Sequence, residues 1–330
     1  GYTVPGGDLV EAILAHLEGQ YGWPVEPEWL VWLPGLVCGL NVACRAAGEP
    51  GDGVLTTVPI YPPFLSAPLD SDRQVQRVPL TRDGERWRLE PAALEAAVTP
   101  DSRLLLLCNP HNPTGRVLSR DELEEVGAFC LRHDVVLCSD EIHCDLVLEP
   151  GLRHIPAATL SPELAARTIT LMAPSKTYNL PGLGCSFAVV SDRRLRARVR
   201  RAMAGIVPHV NLLGLTATAA AYRHGEPWRQ ELVAYLRENR DRVLAVLNGV
   251  PGLRVDPVEA TYLAWVDARG LGLDDPTAFF EAAGVGLSDG RAFGAPGVAR
   301  LNFGCPRSRL EQALERRGSG VARHSGEAAP

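Results

Sequence analysis

Lysine is almost absent from this chain of 330 residues. Lysine and arginine together number 33, and only one of them, Lys176, is lysine; the other 32 are arginine. Arginine replaces lysine on a surface because both carry charge into water, but its guanidinium stays protonated and forms no imine with a carbonyl compound. Amine chemistry is therefore confined to Lys176. The alternative is that an arginine-rich composition left one lysine in a loop by chance.

Other features are missing as well. The eight cysteines include no C-x-x-C pair, and most lie in apolar stretches, which favours buried thiols in a reducing compartment and predicts no metal site. No apolar run reaches the roughly 18–20 residues of a membrane span. A net charge of −6 provides no basic surface for nucleic acid or for an anionic membrane. We therefore expect a soluble, cytoplasmic protein with neither nucleic acid nor a membrane as its partner.

Short apolar runs alternate with helical patterns along most of the chain, which is typical of a mostly parallel sheet with helices on both faces. The predicted strands are Val54–Val58, Arg103–Cys108, Val135–Ser139, Thr168–Met172 and Ser186–Val190. The predicted helices are Asp8–Gln20, Leu36–Ala47, Ser119–His133, Asp192–Ala202 and Asn211–His224. Residues 1–226 are therefore predicted to form a large α/β domain.

A smaller α+β domain is predicted over residues 227–317. A helical pattern that begins at Pro227 and continues through Glu231–Leu247 leads into it. Its predicted strands and helices lie near Leu253–Val255, Tyr262–Val266, Val298–Asn302, Pro276–Ala283 and Ser308–Arg316. Residues 318–330 are rich in glycine, alanine and serine without an apolar period, so we expect a linker-like or disordered tail.

Two segments at the ends of predicted elements are candidates for cofactor binding. Pro34-Gly35-Leu36-Val37 begins a helix, where free backbone N–H groups and the helix dipole suit a phosphate. A Pro-Gly helix start is also a common turn. Tyr61, held between prolines after a strand, has the flat face needed to stack on a planar ring, or it packs on the core.

Two further segments follow predicted strands, and open parallel sheets place their ligands there. The turn Asn109–Gly115 contains two Asn-Pro steps and leaves Asn112 able to donate a hydrogen bond. Asp140 ends an apolar strand, where a buried carboxylate needs a partner such as a pyridinium nitrogen. A metal site at Asp140, Glu141 and His143 is the alternative, although no second cluster has metal-ligand spacing.

Together with Ser175-Lys176, these segments resemble, in this order, the fold-type-I pyridoxal 5′-phosphate enzymes of the aminotransferase class I/II family. The resemblance extends from Gly1-Tyr2-Thr3 to Arg316 and is nearest to the branch of cystathionine β-lyase type C–S lyases. The motifs that carry it are Glu49-Pro50-Gly51-Asp52-Gly53-Val54, Tyr61-Pro62-Pro63-Phe64, Asp140-Glu141-Ile142-His143-Cys144-Asp145-Leu146, Ala173-Pro174-Ser175-Lys176-Thr177, Arg300-Leu301-Asn302 and Cys305-Pro306-Arg307-Ser308. It implies a three-layer α/β/α fold with a mostly parallel sheet and a smaller C-terminal α+β domain.

The resemblance also implies a role for each candidate residue. Lys176 matches the lysine that bonds the cofactor covalently and acts as general base. The other implied cofactor contacts are Tyr61 stacked on the ring, Asp140 at the ring nitrogen, Asn112 with His143 at the phenolic oxygen, and Leu36, Val37 and Ser175 at the phosphate. Arg300, with Asn112, matches the site for the substrate α-carboxylate, a bidentate role suited to a guanidinium.

The implied activity is β-elimination from cysteine or an S-substituted cysteine. Many aminotransferases of the family carry a phosphate-binding arginine eight residues after the lysine, but this position is Gly184. The C–S lyase branch also tends to lack that arginine, which favours a lyase over an aminotransferase. A regulatory or scaffolding protein on the same fold is a third alternative, against which the intact set of site residues argues.

Tyr2 matches a family tyrosine that reaches the phosphate of the opposite subunit, which implies a homodimer with shared active sites. A loose terminal tyrosine is the alternative. The family's usual N-terminal segment before this motif is missing, and the chain ends in a linker-like tail. We therefore expect a domain of a larger protein, such as a polyketide synthase, whose substrate is a carrier-tethered cysteine derivative, with a free small-molecule cysteine derivative as the alternative.

Overall fold

The computed structural model describes the backbone of residues 3–324 and the side chains of residues 3–316. In chain order the strands are β1 (Leu30–Leu33), β2 (Gly53–Val58), β3 (Gln74–Pro79), β4 (Thr81–Asp83), β5 (Arg86–Arg88), β6 (Ser102–Cys108), β7 (Val136–Asp140), β8 (Thr168–Met172), β9 (Ser186–Val189), β10 (Arg254–Val255), β11 (Leu263–Asp267), β12 (Ser288–Asp289) and β13 (Val298–Asn302). The helices are α1 (Gly7–Tyr21), α2 (Leu36–Ala47), α3 (Pro63–Leu69), α4 (Pro91–Ala97), α5 (Arg120–Arg132), α6 (Pro162–Ala165), α7 (Arg193–Met203), α8 (Leu212–His224), α9 (Glu226–Asn248), α10 (Pro276–Ala282) and α11 (Arg307–His324).

A seven-stranded sheet forms the larger part of the molecule. Its strand order is β1-β9-β8-β7-β6-β2-β3. The five strands from β8 to β3 are parallel, whereas β9 runs antiparallel to β8 and β1 antiparallel to β9. The parallel strands end on one edge, so the loops after β2, β6, β7 and β8 meet there. The predicted α/β class with a mostly parallel sheet is confirmed.

Helices cover both faces of this sheet, which explains why its central strands are continuous apolar runs. Residues 104–107 of β6 are at most 2 % exposed. On one face they pack with α2, α3 and α7, and on the other with α4 and α5. A capping box fixes the start of α5, because Ser119 and Glu122 exchange side-chain to backbone hydrogen bonds.

The second sheet is smaller and antiparallel, with strand order β10-β11-β13-β12. The long helix α9 leads into it. A bridge between Val147 and Ala260 joins the chain before β11 to the loop after β7, and the Ala260 amide also donates to the Gly115 carbonyl at 2.8 Å. The smaller sheet is thereby fixed against the edge where the parallel strands end.

The predicted linker-like tail over residues 318–330 is wrong for its first part. Residues 318–324 continue α11 rather than forming a linker, and residues 325–330 lie outside the described part of the chain. The first turns of α11 are anchored by buried Leu310 and Leu314. Once a helix is nucleated, each added residue gains a backbone hydrogen bond, and a glycine weakens such a helix without necessarily ending it.

None of the helices between residues 3 and 324 is long and apolar enough to span a membrane.

Candidate active site

A cavity of about 250 Å³ opens where the parallel strands end and the smaller sheet faces them. It is lined by every candidate residue that falls in the described part of the chain, namely Leu36, Val37, Tyr61, Asn112, Asp140, His143, Ser175, Lys176 and Arg300. Tyr2, the remaining candidate, lies outside the described residues. Residues separated by up to 264 positions in sequence thus converge on one site.

Lys176 lies in the turn that follows β8. The turn is closed by hydrogen bonds from the Tyr178 amide to the Pro174 carbonyl (2.8 Å) and from the Leu180 amide to the Ser175 carbonyl (3.0 Å). Burial lowers the pKa of the Lys176 ammonium, opposed by nearby Asp140 and assisted by Arg300. A lowered pKa increases the neutral fraction of the amine, which is the form that attacks a carbonyl or removes a proton.

Asp140 is the last residue of β7 and only 5 % exposed. Its carboxylate accepts a hydrogen bond from the Ile142 amide at 3.1 Å, and its own backbone carbonyl accepts one from the Asn109 amide. Burial raises the pKa of this carboxyl to about 7. A carboxylate in such surroundings gains stability from a cationic N–H group brought into the cavity.

The neighbouring Glu141 does not line the cavity, so Asp140, Glu141 and His143 do not face one common point as metal ligands would. Its carboxylate is fully buried and accepts hydrogen bonds from the Ser139 hydroxyl (2.9 Å), His154 Nε2 (2.7 Å) and the Ala157 amide (3.0 Å). This pairing anchors the turn that carries Asp140 and His143.

His143 contributes a neutral imidazole to the cavity. Burial, together with Lys176 and Arg300, lowers its pKa to about 3. Its Nδ1 is buried and finds no hydrogen-bond partner among the side chains and backbone that the structure describes. A buried polar atom of this kind is costly without a partner, so it fits a site that is completed by a ligand.

The start of α2 provides free N–H groups at the cavity wall. Gly35 is the N-cap and supplies no side-chain cap, so the amides of Leu36 and Val37 have no partner within the helix. Ser175 lines the same cavity with its hydroxyl. Nearby Gly184 has a φ of 55°, and a Cβ atom there would lie 3.2 Å from the Pro34 carbonyl oxygen. An arginine at position 184 would therefore be strained and crowded.

Arg300 reaches the cavity from β13. Its Nη1 donates to Asn112 Oδ1 at 3.0 Å and its Nη2 to Ser288 Oγ at 3.2 Å. The guanidinium carbon lies 4.9 Å from the ring centre of Phe293 and 6.0 Å from that of Tyr61. No carboxylate of residues 3–316 forms an ion pair with it, and its Nε is buried without a partner. Such a fixed, unpaired cation suits a substrate carboxylate.

Ser288 and Tyr262 belong to this site, although neither was predicted. Ser288 lies directly opposite Arg300 on the paired strands β12 and β13. Tyr262 lines the cavity with its ring edge-on to His143. The tyrosine follows Thr261, whose φ of 73° is rare for a β-branched residue. The linear sequence shows neither a cross-strand register nor a backbone angle.

Comparison with known proteins places this site in a family. The family model for aminotransferase class I and II matches residues 5–316. The cystathionine β-lyase PatB of Bacillus subtilis (strain 168) is 36% identical over 328 residues, covering 96% of this chain and 84% of that protein. The crystal structure of OvoB is 48% identical with a TM-score of 0.96, covering 97% of this chain and 85% of that one.

A third relative is the crystal structure of the PLP-bound C–S lyase from Staphylococcus hominis. It is 32% identical with a TM-score of 0.90 and covers 97% of this chain and 84% of that one. The family model covers nearly the whole chain, and the curated relative exceeds 30% identity over most of its length. The chain therefore belongs to the aminotransferase class I and II family.

Proposed function

We propose that this protein is a pyridoxal 5′-phosphate-dependent carbon–sulfur lyase that acts on cysteine or an S-substituted L-cysteine. The products are a thiol or sulfide, pyruvate and ammonia. The observation that carries the proposal is the convergence of the single lysine, a buried carboxylate and an unpaired arginine on one cavity. The relatives named for cystathionine β-lyase and C–S lyase activity support the reaction type.

The residues of the cavity fit the proposed cofactor. Asp140 offers a negative charge to a ring nitrogen, and the unpartnered His143 Nδ1 offers a polar contact to an oxygen substituent. Tyr61 would stack on the ring. The free amides at the start of α2, with Ser175, would hold the phosphate. Lys176 would form the covalent bond. When bound, this cofactor acts as an electron sink that stabilises negative charge at the substrate Cα.

The chain's own residues supply binding and proton transfer. Arg300 binds the α-carboxylate, and its contacts with Asn112 and Ser288 fix the plane of the guanidinium. Lys176, whose lowered pKa favours the neutral amine, removes the α-proton as general base. The protonated Lys176 then donates a proton to the departing sulfur. The amine is thus neutral again at the end of the elimination.

Gly184 favours a lyase over an aminotransferase. The resemblance ties a phosphate-binding arginine at this position to many aminotransferases, and the left-handed backbone here disfavours any residue but glycine. An aminotransferase remains the second candidate, because a probable N-succinyldiaminopimelate aminotransferase is also among the relatives of this chain.

The test is to add L-cysteine, and separately L-cystathionine, to the cofactor-loaded protein and to measure pyruvate and thiol or sulfide. We expect both products in equal amounts with at least one of the two amino acids. Transfer of the amino group to an added 2-oxo acid, with no pyruvate formed from cysteine or cystathionine, would identify an aminotransferase instead. A carrier-bound cysteine derivative, assayed in parallel, distinguishes a tethered substrate from a free one.

We also propose a homodimer in which Tyr2 contributes to the partner's site. Apolar side chains are exposed beside the cavity: Leu212 and Leu213 at the start of α8 are 55 % and 69 % exposed. Val4 and Leu212 line one surface depression. The hydrogen bond from Asn211 Nδ2 to the Leu183 carbonyl (2.6 Å) connects this surface to a loop of the cavity. Exposed apolar surface of this kind marks an interface.

Sedimentation of the wild type and of Leu213→Asp tests the dimer. We expect the variant to shift towards a monomer and to bind the cofactor more weakly, because each site then lacks the residues that the second subunit contributes. Tyr2→Phe should weaken cofactor binding without changing the oligomeric state. A fully active monomer would contradict the shared site.

The eight unpaired cysteines support the proposed reducing, cytoplasmic location.

A further inference from the structure

Tyr262 lines the cavity from the side of the smaller sheet, together with Leu263, Arg300 and Asn302. The residues that fit the cofactor come instead from the loops of the larger sheet. The amino acid substrate must therefore contact the wall formed by the smaller sheet, where Arg300 takes its carboxylate. Beside Arg300, this wall presents Tyr262, whose side chain combines a flat ring with a hydroxyl that can form a hydrogen bond.

The backbone holds Tyr262 in place at a conformational cost. Thr261 is fully buried with a φ of 73°, a conformation that a β-branched residue adopts only under strain. The Thr261 amide donates to the Leu146 carbonyl at 2.9 Å, and its Oγ1 accepts from the Leu263 amide at 3.1 Å. These two bonds fix the direction in which the chain presents Tyr262.

The ring of Tyr262 fits a niche between two neighbours. A Cβ atom at Gly304 would lie 3.1 Å from Tyr262 Cγ, so any larger residue would push the ring away. On the other side, the Tyr262 ring meets that of His143 edge-on, with centroids 5.7 Å apart and planes at 79°. The strained backbone of Thr261, the space left by Gly304 and the contact with His143 together hold the Tyr262 side chain in one orientation.

The hydroxyl of Tyr262 is left free by this arrangement. It forms no hydrogen bond with any residue from 3 to 316. Burial raises the pKa of Tyr262 to about 12, so the phenol stays protonated and acts as a donor at neutral pH. Because Arg300 already offers several N–H groups to the α-carboxylate, the acceptor left for Tyr262 lies elsewhere on the amino acid.

We propose that Tyr262 is a specificity-determining residue, whose hydroxyl donates a hydrogen bond to an acceptor atom in the group attached to the substrate sulfur. This inference rests on the proposed lyase function, and it names the substrate class: S-substituted cysteines whose substituent carries an oxygen or nitrogen acceptor. A purely aliphatic substituent that covers the phenol displaces its water without offering an acceptor, and is therefore disfavoured.

The experiment compares S-(2-hydroxyethyl)-L-cysteine with S-propyl-L-cysteine, which have the same number of heavy atoms but differ in the acceptor. We measure kcat/KM for both with the wild type, with Tyr262→Phe, and with Tyr235→Phe as the matched control. Tyr235 belongs to the same half of the molecule, and its hydroxyl accepts from the Arg307 amide at 2.6 Å outside the cavity. Phenylalanine keeps the ring at position 262, and hence its contacts with His143 and Gly304.

We expect the wild type and Tyr235→Phe to favour the hydroxyethyl substrate. In Tyr262→Phe the ratio of the two kcat/KM values should fall roughly 3- to 10-fold, the usual effect of one neutral hydrogen bond. An unchanged ratio overturns the proposal, and so does an equal loss for both substrates, which would assign the hydroxyl to the carboxylate or to the fold.

Failure of the lyase function itself would look different. In that case the wild type releases pyruvate from neither substrate. The affinities of the two amino acids, measured by calorimetry on the cofactor-loaded protein, then replace kcat/KM. Their ratio in the wild type and in Tyr262→Phe supports or overturns the role of Tyr262 by the same criterion.

Discussion

The two walls of the cavity differ in how they hold their polar groups. The wall from the seven-stranded sheet presents Lys176, Asp140 and His143, and burial shifts the pKa of each. The opposite wall presents Arg300, which is positioned by hydrogen bonds to Asn112 and Ser288, and Tyr262, which is positioned by its contact with His143 and by the strained backbone of Thr261. On the first wall, burial moves the pKa values of Asp140 and Lys176 towards neutral pH and holds His143 neutral, whereas Arg300 and Tyr262 on the second wall stay protonated at neutral pH.

This difference separates chemistry from recognition. A substitution on the wall of the larger sheet should change the rate of the reaction or the hold on the cofactor. One on the wall of the smaller sheet should change which amino acid binds and how tightly. Variants of residues on the two walls test that separation.

Lys176→Arg should abolish turnover, lowering kcat by about four orders of magnitude, because arginine keeps the positive charge but provides neither a nucleophilic amine nor a base. The cofactor should still bind without a covalent bond. Borohydride reduction of the wild type should attach the cofactor to the one peptide that contains Lys176. Attachment to another peptide, or covalent labelling of the variant, would refute this role.

Asp140→Asn should lower kcat roughly 100- to 1,000-fold, since a neutral amide no longer offers a negative charge to the cofactor ring. Substrate binding through Arg300 should change little. Pyruvate release measures the first effect, and calorimetry with a non-reacting amino acid measures the second. A loss confined to substrate affinity would mean that Asp140 belongs functionally to the other wall.

The same variant gives a pH test without cofactor. Burial raises the pKa of Asp140 from 3.8 to about 7 in the folded chain. The folded state then binds more protons than the unfolded state between these values, so the contribution of Asp140 to stability is present at acidic pH and is lost as the pH rises through 7. Denaturant unfolding at pH 5 and pH 8 should show this loss in the wild type and not in Asp140→Asn.

Arg300→Ala should weaken amino acid binding by about 2–3 kcal/mol, the lower part of the range for losing one partner of a buried charge pair, because the cavity is open to water. This raises KM roughly 30- to 150-fold. Cofactor retention should stay unchanged. Arg300→Lys keeps the charge without the planar fork and serves as the control. Loss of cofactor with an unaltered KM would show that the two walls are not separate.

Ser288→Ala should have the smallest effect, raising KM by about 3- to 10-fold through the loss of one hydrogen bond to Arg300. Asn112 still holds the other side of the guanidinium, which limits the loss. The value of kcat should be unaffected. Ser288→Thr keeps the hydroxyl and should restore most of the affinity. A fall in kcat with no change in KM would contradict a positioning role.

The sequence predicted one wall much better than the other. Asp140, Asn112 and Lys176 each follow a buried apolar strand, so strand pattern and motif together brought them to one edge of a parallel sheet. The short strand β1 and the hairpin of β4 and β5 were missed, because three or four residues carry too little periodicity.

The wall of the smaller sheet depends on relations between distant residues. Ser288 contacts Arg300 through the register of β12 and β13, and Tyr262 is aimed by the backbone angle of Thr261. Neither relation appears as a local pattern. Arg300 was predicted only from a family motif, because one arginine among 32 has no chemical distinction in the sequence.

The position of the only lysine has a spectroscopic consequence. A chain whose lysine is isotopically labelled should give one side-chain resonance in a magnetic resonance spectrum, and that signal needs no assignment. Because Lys176 lies inside the cavity, the signal reports directly on the site. Titrating a labelled sample with cofactor, amino acid or inhibitor would follow occupancy and protonation at a single nitrogen, free of overlap from the surface.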